Sequence, residues 1–290
     1  MKKIIIINLI FLAAMCGNVL AQNHELSASL GGGFSTLSYK LSPGGTRNGG
    51  GGIDFGVGYT FFRDLKQVAE TGTIRSDQWG IHSALGFSLY NAVANVDGET
   101  IITSGLLDND THLPIAYRTF NMHTTLANYK EKQSMMLLNI PVMGVLHLKQ
   151  YYAMAGFKFG IPVGGKYKYE RATLTNAAEY PETENWARMQ EFMGLGVFQK
   201  DAKEKMKYGV STMLSLEGGM IWTVLKDMTL YVGAYFDYGL NNIAKKFDDK
   251  LLNYDAAKPA DFTTNSVLSV YTQKVNVVSV GVKVRLAMNL

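Results

Sequence analysis

The sequence predicts an all-β fold: an eight-stranded antiparallel up-and-down transmembrane β-barrel with long extracellular loops. Three observations predict it. From Val278 to Leu290 the even positions read Val278, Val280, Val282, Val284, Leu286, Met288 and Leu290, and the odd ones Ser279, Gly281, Lys283, Arg285, Ala287 and Asn289. A strict period of two makes a strand with one oily and one polar face, and this one exceeds the ~9–11 residues a tilted strand needs to cross a bilayer. Segments of the same kind recur along the chain, joined by connections that are by turns long and short. Finally, 30 Gly, 16 Tyr and 14 Phe among 290 residues suit close strand contacts and rings of interfacial aromatics.

The chain opens Met1-Lys2-Lys3, runs apolar from Ile4 to Ala14 and reaches Val19-Leu20-Ala21 before Gln22. A basic start, a short apolar run and a small residue before the cut read as a secretory signal peptide over residues 1–21, cleaved near Ala21. Cys16 as a lipoprotein cysteine is the rival, but Met15 is not the small residue such processing prefers. Cleavage at Ala21 removes the only cysteine, so the mature chain, 22–290, can form no internal disulfide. No later stretch is apolar for ~18 residues, which excludes a helical span. The net charge of +4 is spread thinly, without a basic stripe interleaved with aromatics, and argues against nucleic acid.

The predicted strands follow in order. Leu26–Phe34 sets Leu26, Ala28, Leu30 and Phe34 against Ser27, Ser29, Gly31 and Gly33. After a Gly-, Pro- and Asn-rich loop over 41–52, Ile53–Phe61 sets Ile53, Phe55, Val57, Tyr59 and Phe61 against Asp54, Gly56, Gly58 and Thr60. A polar link over 63–78, partly a hairpin extension, leads to Trp79–Tyr90, whose inner set includes His82 and Ser88. A long polar region over 91–133 precedes Met135–His147, and a tight turn at 148–150 leads into Tyr151–Val163. Pro141 and Pro162 inside these two strands predict bulges or unpaired edges, because proline removes a ladder donor. A second long polar region, 166–207, precedes Tyr208–Val224; a turn near 225–227 gives Met228–Leu240; a last long loop covers 241–274. With the N-terminus in the periplasm, the long links share one side of the membrane. Phe61, Trp79, Tyr151 and Trp222 then fall at one depth, as a periplasmic aromatic girdle.

Four stretches carry a resemblance: Leu138-Asn139-Ile140-Pro141-Val142-Met143, Ala155-Gly156-Phe157-Lys158-Phe159-Gly160-Ile161-Pro162, Gly233-Ala234-Tyr235-Phe236-Asp237-Tyr238-Gly239-Leu240, and Val280-Gly281-Val282-Lys283-Val284-Arg285-Leu286. They resemble the Bacteroidetes outer-membrane β-barrel family, a porin-family, OmpA-like barrel. The resemblance implies a Gram-negative outer membrane, with its lipid and the barrel-assembly machinery as partners. It carries over no catalytic residue. Leu290 stands where many outer-membrane proteins end in an aromatic, and no peptidoglycan-binding domain is expected after the barrel.

The inner face collects Asp54, Lys158, Glu217, Asp237, Lys283 and Arg285, with His82 beside them. Eight strands leave an interior that side chains fill, and unpaired buried charges are costly. The expectation is a lumen charge network plugging the barrel, with Glu217 as hub, bonded to Arg285, Lys283 or Lys158, and with Lys283 and Arg285 beside Asp237. A structural or loop-mediated surface-binding role follows, with the long loops meeting an extracellular ligand. The alternative is a narrow gated porin for small solutes; a lipid-modifying enzyme is the other class weighed. Against an enzyme stand the missing Gly-x-Ser-x-Gly and His-Glu-x-x-His patterns and the scatter of His82, His112, His123 and His147. No cofactor or metal is expected: Asp97, Asp108 and Asp110 lack the spacing of a calcium loop. Tyr167, Tyr169, Tyr180, Trp186, Phe192 and Phe198 in the region 166–207 are expected to pack on each other in an extended hairpin.

Overall fold

The computed structural model describes residues 23–41, 44–64, 77–110, 112–244, 250–271 and 274–290. The expected signal peptide, its cleavage at Ala21, Cys16, and most of the link over 63–78 lie outside the described residues. Among the described residues fourteen strands carry the fold: β1 (Asn23–Ser38), β2 (Thr46–Asp64), β3 (Gln78–Val96), β4 (Glu99–Leu107), β5 (Thr119–Ala127), β6 (Tyr129–Leu148), β7 (Tyr151–Tyr180), β8 (Asn185–Ala187), β9 (Gly196–Lys205), β10 (Ser211–Leu225), β11 (Met228–Gly239), β12 (Leu252–Asn253), β13 (Thr263–Thr264) and β14 (Asn276–Asn289).

Eight of them form a ring. β1, β2, β3, β6, β7, β10, β11 and β14 pair antiparallel in that order, and β14 pairs back onto β1 from Glu25↔Asn289 to Ser38↔Asn276. The ring has no free edge, so the backbone donors and acceptors of its strands are consumed by neighbours. These are the eight strands that the period of two predicts. At the end carrying the termini, two of the three ring connections are two-residue turns, Lys149-Gln150, with Lys149 left-handed at φ 54°, and Lys226-Asp227; the third, 65–77, is long and lies mostly outside the described residues. Leu290 donates to the His24 carbonyl at the same end (2.9 Å).

The far end differs from expectation. The regions read as long polar loops are largely strand: β3 continues to Val96, β6 starts at Tyr129, and β7 runs 30 residues. Beyond the ring, β5 pairs with β4 and with the distal half of β7, and β8 and β9 pair with β7. The stretch 46–52, predicted as loop, is strand too. The cause is that the alternation continues along β3 and β6, although its members change chemistry: Ala92, Ala94 and Val96, then Tyr129, Glu131 and Gln133, point inward. Polar composition concealed a continuing period of two.

The prolines act differently from each other. At Pro162 the β6–β7 register slips between Met136↔Gly164 and Leu137↔Pro162, leaving Val163 as a bulge. At Pro141 no bulge forms; the β3–β6 pairing lapses between Ser83↔Val142 and Gly86↔Asn139 without changing register. A missing N–H removes one ladder bond and leaves the side-chain faces unchanged.

The interior is stacked in floors. Nearest the termini, Phe62, Met143, Val145, Tyr152, Met154, Ile221 and Tyr231 form an apolar floor. A charged floor lies above it. A third floor packs Tyr90, Met135, Leu137 and Met213 under Ile243, Leu251, Val267 and Leu268, so these described residues between β11 and β14 cover the mouth of the ring. A separate cluster around Phe120, Met122, Leu195 and Phe262 holds the distal extension together. The polar lumen expected from sequence is thus a charged layer between two apolar ones.

Close strand approach fixes two glycines. Gly33 and Gly281 face each other across β1 and β14, and a Cβ at Gly281 would fall on the Gly32 carbonyl oxygen. Gly281→Val should therefore destabilise the protein by about 1–3 kcal/mol through overpacking, read as a lower urea midpoint. Gly51→Ala, which meets open space, should leave the midpoint within about 0.5 kcal/mol of wild type.

Candidate functional site: a charged floor and its lid

All six charges of the predicted network point inward, and the ring brings them together. Asp237 Oδ2 takes a hydrogen bond from Lys158 Nζ at 2.7 Å; Lys158 Nζ lies 3.8 Å from Asp54 Oδ2. Asp54 Oδ1 lies 3.2 Å from Lys283 Nζ, which lies 3.3 Å from Glu217 Oε2; Glu217 Oε1 lies 3.3 Å from Arg285 Nη2. The result is an alternating chain, Asp237–Lys158–Asp54–Lys283–Glu217–Arg285, drawn from five strands. Three acids and three bases cancel, and every side chain in it is at most 12% exposed.

Two details of the expectation are corrected. Glu217 bonds two of the three bases named for it, Lys283 and Arg285, as expected, but it is not the one hub, because Lys158 pairs with Asp237 and Asp54 instead. Nor do Lys283 and Arg285 meet Asp237. The register explains both. Lys158 lies opposite Met213 on β10, four residues from Glu217, and Asp237 lies opposite Ser279 on β14, four residues from Lys283. Four residues of strand separate groups by about 13 Å, so the six charges occupy two levels, with Asp54 joining them.

Neutral groups complete the floor. Ser215 donates to Asp237 (2.6 Å), Ser88 to Asp54 (2.5 Å) and Tyr152 to Glu217 (3.1 Å). The Arg285 guanidinium sits 4.5 Å from the Tyr231 ring centroid and 5.3 Å from that of Tyr152, and Lys283 Nζ 5.0 Å from that of Tyr235. Such cation–π contacts compensate charge that has left water. His82 shares a 2.8 Å hydrogen bond with Thr60 at the margin. Among Asp54, His82, Lys158, Glu217, Lys283 and Arg285 the free volume is about 30 Å³, room for a water or two rather than a solute.

The lid was not legible as a site. Glu131, fully buried on β6, accepts from Tyr129 Oη (2.7 Å), Gln133 Nε2 (2.7 Å), Ser266 Oγ (2.5 Å) and the Val267 amide (3.1 Å). Gln133 in turn accepts from Tyr39 Oη (2.7 Å). Tyr167 donates to the Thr264 carbonyl (2.8 Å), and Tyr169 bonds the Thr264 hydroxyl. One carboxylate thus collects two donors from the covering segment, 266–267, and two from its own strand. Burial pushes the Glu131 carboxyl up from its ordinary value of 4.5, against the lowering effect of these hydrogen bonds. The signal was present in the sequence as Tyr129, Glu131, Gln133 alternating with Lys130, Lys132 and Ser134. Glu25, whose carboxylate oxygens lie 2.7 and 2.8 Å from the donating Tyr231 hydroxyl, was missed as well.

The remaining predicted positions separate. Trp79, Tyr151 and Trp222 are exposed and Phe61 half-buried, all facing outward near the termini end. Tyr167 and Tyr169 turn inward, Tyr180 packs on Phe120 and Phe198 on Phe262, while Trp186 packs tilted against His123 and Phe192 is open to solvent. His123 bonds Glu179 (2.9 Å). Asp97 caps the Asn128 amide, and Asp108 the Asp110 amide. Among the described residues no three His, Cys, Asp or Glu side chains converge as metal ligands.

Removing one carboxylate from the floor should be costly. Glu217→Ala leaves Arg285 without an acid and should lower stability by roughly 3–5 kcal/mol, measured by urea unfolding in detergent; a loss near ~1 kcal/mol would mean that water reaches the layer. The lid has a pH signature. Because the folded Glu131 pKa lies above the unfolded one, its stabilising contribution is complete below the unfolded pKa and is lost as pH rises through the folded pKa. Amide exchange at Val267 and Leu268, corrected for intrinsic rate, should therefore speed up on raising pH above 4.5, and Glu131→Gln should flatten that slope.

No family model and no curated protein matches the chain. Solved structures with a similar course include Ail, the attachment invasion locus protein of Yersinia pestis, in complex with the heparin analogue sucrose octasulfate: 10% identical, TM-score 0.31, covering 92% of this chain and 99% of that one. A second structure of Ail is 9% identical with a TM-score of 0.29, covering 92% and 98%.

Proposed function

We propose that the chain is an outer-membrane β-barrel of eight strands whose lumen is closed, serving a structural and surface-binding role rather than conduction or catalysis. The observation that carries this reading is an inside-out distribution of polarity. Lys158, Asp237 and Arg285 are buried to 4% exposure or less, while Leu30, Val57, Val282 and Phe157 are at least half exposed. Exposed apolar side chains occur on all eight ring strands, among them Ile81, Val142, Leu216 and Phe236. In water such a belt would be a severe aggregation liability; in a bilayer it is the required outer surface. On β6 it runs from Met136 to Leu148, about 30 Å at ordinary strand rise and a tilt near 40°.

Phe61, Trp79, Tyr151 and Trp222 then form the periplasmic girdle, with both termini in the periplasm. Barrel-assembly machinery and outer-membrane lipid are the implied partners, and a secretory signal over residues 1–21 the implied route. The quoted sequence resemblance supports membership of a Bacteroidetes porin-family, OmpA-like group. The β4–β5–β7–β9 extension stands outside the membrane as a strand-built platform, and its tip exposes Ile115, Tyr117, Trp186, Met189 and Phe192 for an extracellular ligand. The charged floor, with apolar floors on either side and the Glu131-held lid, supports a plug.

Reconstituted protein should migrate faster on a gel unheated than boiled, and should show no discrete conductance steps in a planar bilayer. Stepwise conductance in wild type would replace the plug with a gated pore; recovery as a fully soluble chain would sink the barrel. Val282→Arg, placing a cation on the lipid face near mid-belt, should cost about 2–4 kcal/mol of membrane folding energy, read from urea titration in bilayers. Wild-type folding of that variant would invert the face assignment.

A further inference from the structure

Just above the apolar belt, the register sets lysine against lysine. Lys132 on β6 lies directly opposite Lys168 on β7, and Lys168 directly opposite Lys203 on β9; one row nearer the belt, Lys166 lies opposite Lys205. All five are exposed. Like charges directly opposite on neighbouring strands are destabilising, so folding alone gives no reason for this ladder. Its acidic compensation is thin: among the described residues the ion-pair partner is Glu170, on Lys168, and both groups are about half or more exposed, where such pairs contribute little.

Position supplies the reason. Met136, the last apolar outward residue of β6, lies opposite Gly164, and the next outward row is Ser134↔Lys166. The ladder therefore begins at the first position outside the belt and rises one further row, at the depth of lipid headgroups. It is also one-sided. At comparable height β3 presents Asn91, Val93 and Asn95, and Arg47 on β2 is spent on the Leu37 carbonyl and the Tyr39 ring. Two strand spacings separate Lys132 from Lys203, about 10 Å, which suits a headgroup with more than one phosphate or two adjacent headgroups. Lysine stems lie along apolar surface while their ammonium groups reach the interface, and the ammonium is a compact partner for phosphate.

We propose that Lys132, Lys166, Lys168, Lys203 and Lys205 form a binding surface for the phosphate groups of lipids in the outer leaflet. The surface rests on the membrane-barrel reading above. It recruits anionic lipid to the β6–β7–β9 side of the ring, and the lipid phosphates relieve the repulsion built into the register.

The test uses full-length mature protein in phosphatidylcholine vesicles carrying spin-labelled phosphatidic acid. Wild type should enrich phosphatidic acid over phosphatidylcholine in its lipid shell by at least about five-fold, given the attraction of basic clusters to anionic surfaces. Lys132→Gln/Lys168→Gln/Lys203→Gln should bring that ratio close to one and keep the heat-dependent gel shift. Glu170→Gln should raise the ratio, and Lys226→Gln, at the opposite rim, should leave it at the wild-type value. Unchanged enrichment in the correctly folded triple variant overturns the proposal. Loss of enrichment in wild type on adding millimolar inorganic phosphate, with ionic strength held constant, overturns the lipid assignment in favour of a soluble phosphate. Failure of wild type to enter vesicles, with no gel shift, overturns the barrel reading itself and the proposal with it.

Discussion

The pairing of β14 with β1 is the constraint on which the other features depend. A sheet of eight strands left open would expose two edges and leave each strand free to turn either face to water. Closing it from Glu25↔Asn289 to Ser38↔Asn276 removes the edges and turns every alternation along the chain into an inside and an outside. Once Lys283 and Arg285 are inside, Val282, Val284 and Leu286 must be outside, because successive side chains on a strand take opposite faces. The same closure brings β14 within reach of acids on β2 and β10, to which it is not adjacent. Those acids neutralise it across the interior, not along the sheet.

That interior resolves a tension between two physical demands. A ring this narrow must be filled, and an apolar filling would be simpler to stabilise, since a buried ion pair often does no better than a hydrophobic isostere. The charges instead form one neutral chain of six, each anion except the terminal Asp237 shared between two cations. Such a chain penalises any slip of register: shifting one strand by a residue would send its charged group to the outer face and strand its partners inside. The apolar floors above and below shield the layer, and the aromatic rings of Tyr152, Tyr231 and Tyr235 line it. Stability is thereby tied to a unique register.

What was legible in the sequence was whatever the period of two carried in hydrophobic letters. All eight ring strands and the inward direction of Asp54, Lys158, Glu217, Asp237, Lys283 and Arg285 follow from alternation alone. Partner choice did not, because it depends on stagger between strands: Lys158 was expected among the partners of Glu217, whereas the register sets it opposite Met213, four residues away. The distal strands were hidden for a chemical reason. Around Tyr129, Glu131 and Gln133 the inward set is polar, so a hydrophobicity-based reading sees loop where the backbone sees strand. The lid was least visible, since the segment that satisfies Glu131 lies about 135 residues away, and no local pattern joins Ser266 to it.

The extension of strand beyond the apolar belt bears on what the distal end can do. A ligand surface on free loops must be ordered on binding, and each immobilised side chain subtracts from affinity. Here β7 continues unbroken from the belt into the platform, so the orientation of Trp186 and its neighbours follows from the same ladder that anchors the ring. The lid couples to this platform through Tyr167 and Tyr169, which are β7 residues bonded to Thr264. Opening a path through the ring would therefore require breaking the Glu131 bonds, unpacking Val267 and Leu268, and parting the ion chain beneath. A ligand on the platform requires none of these. On the reading proposed above, the platform and the filled interior are separate parts of one fold, and that separation fits recognition better than transport.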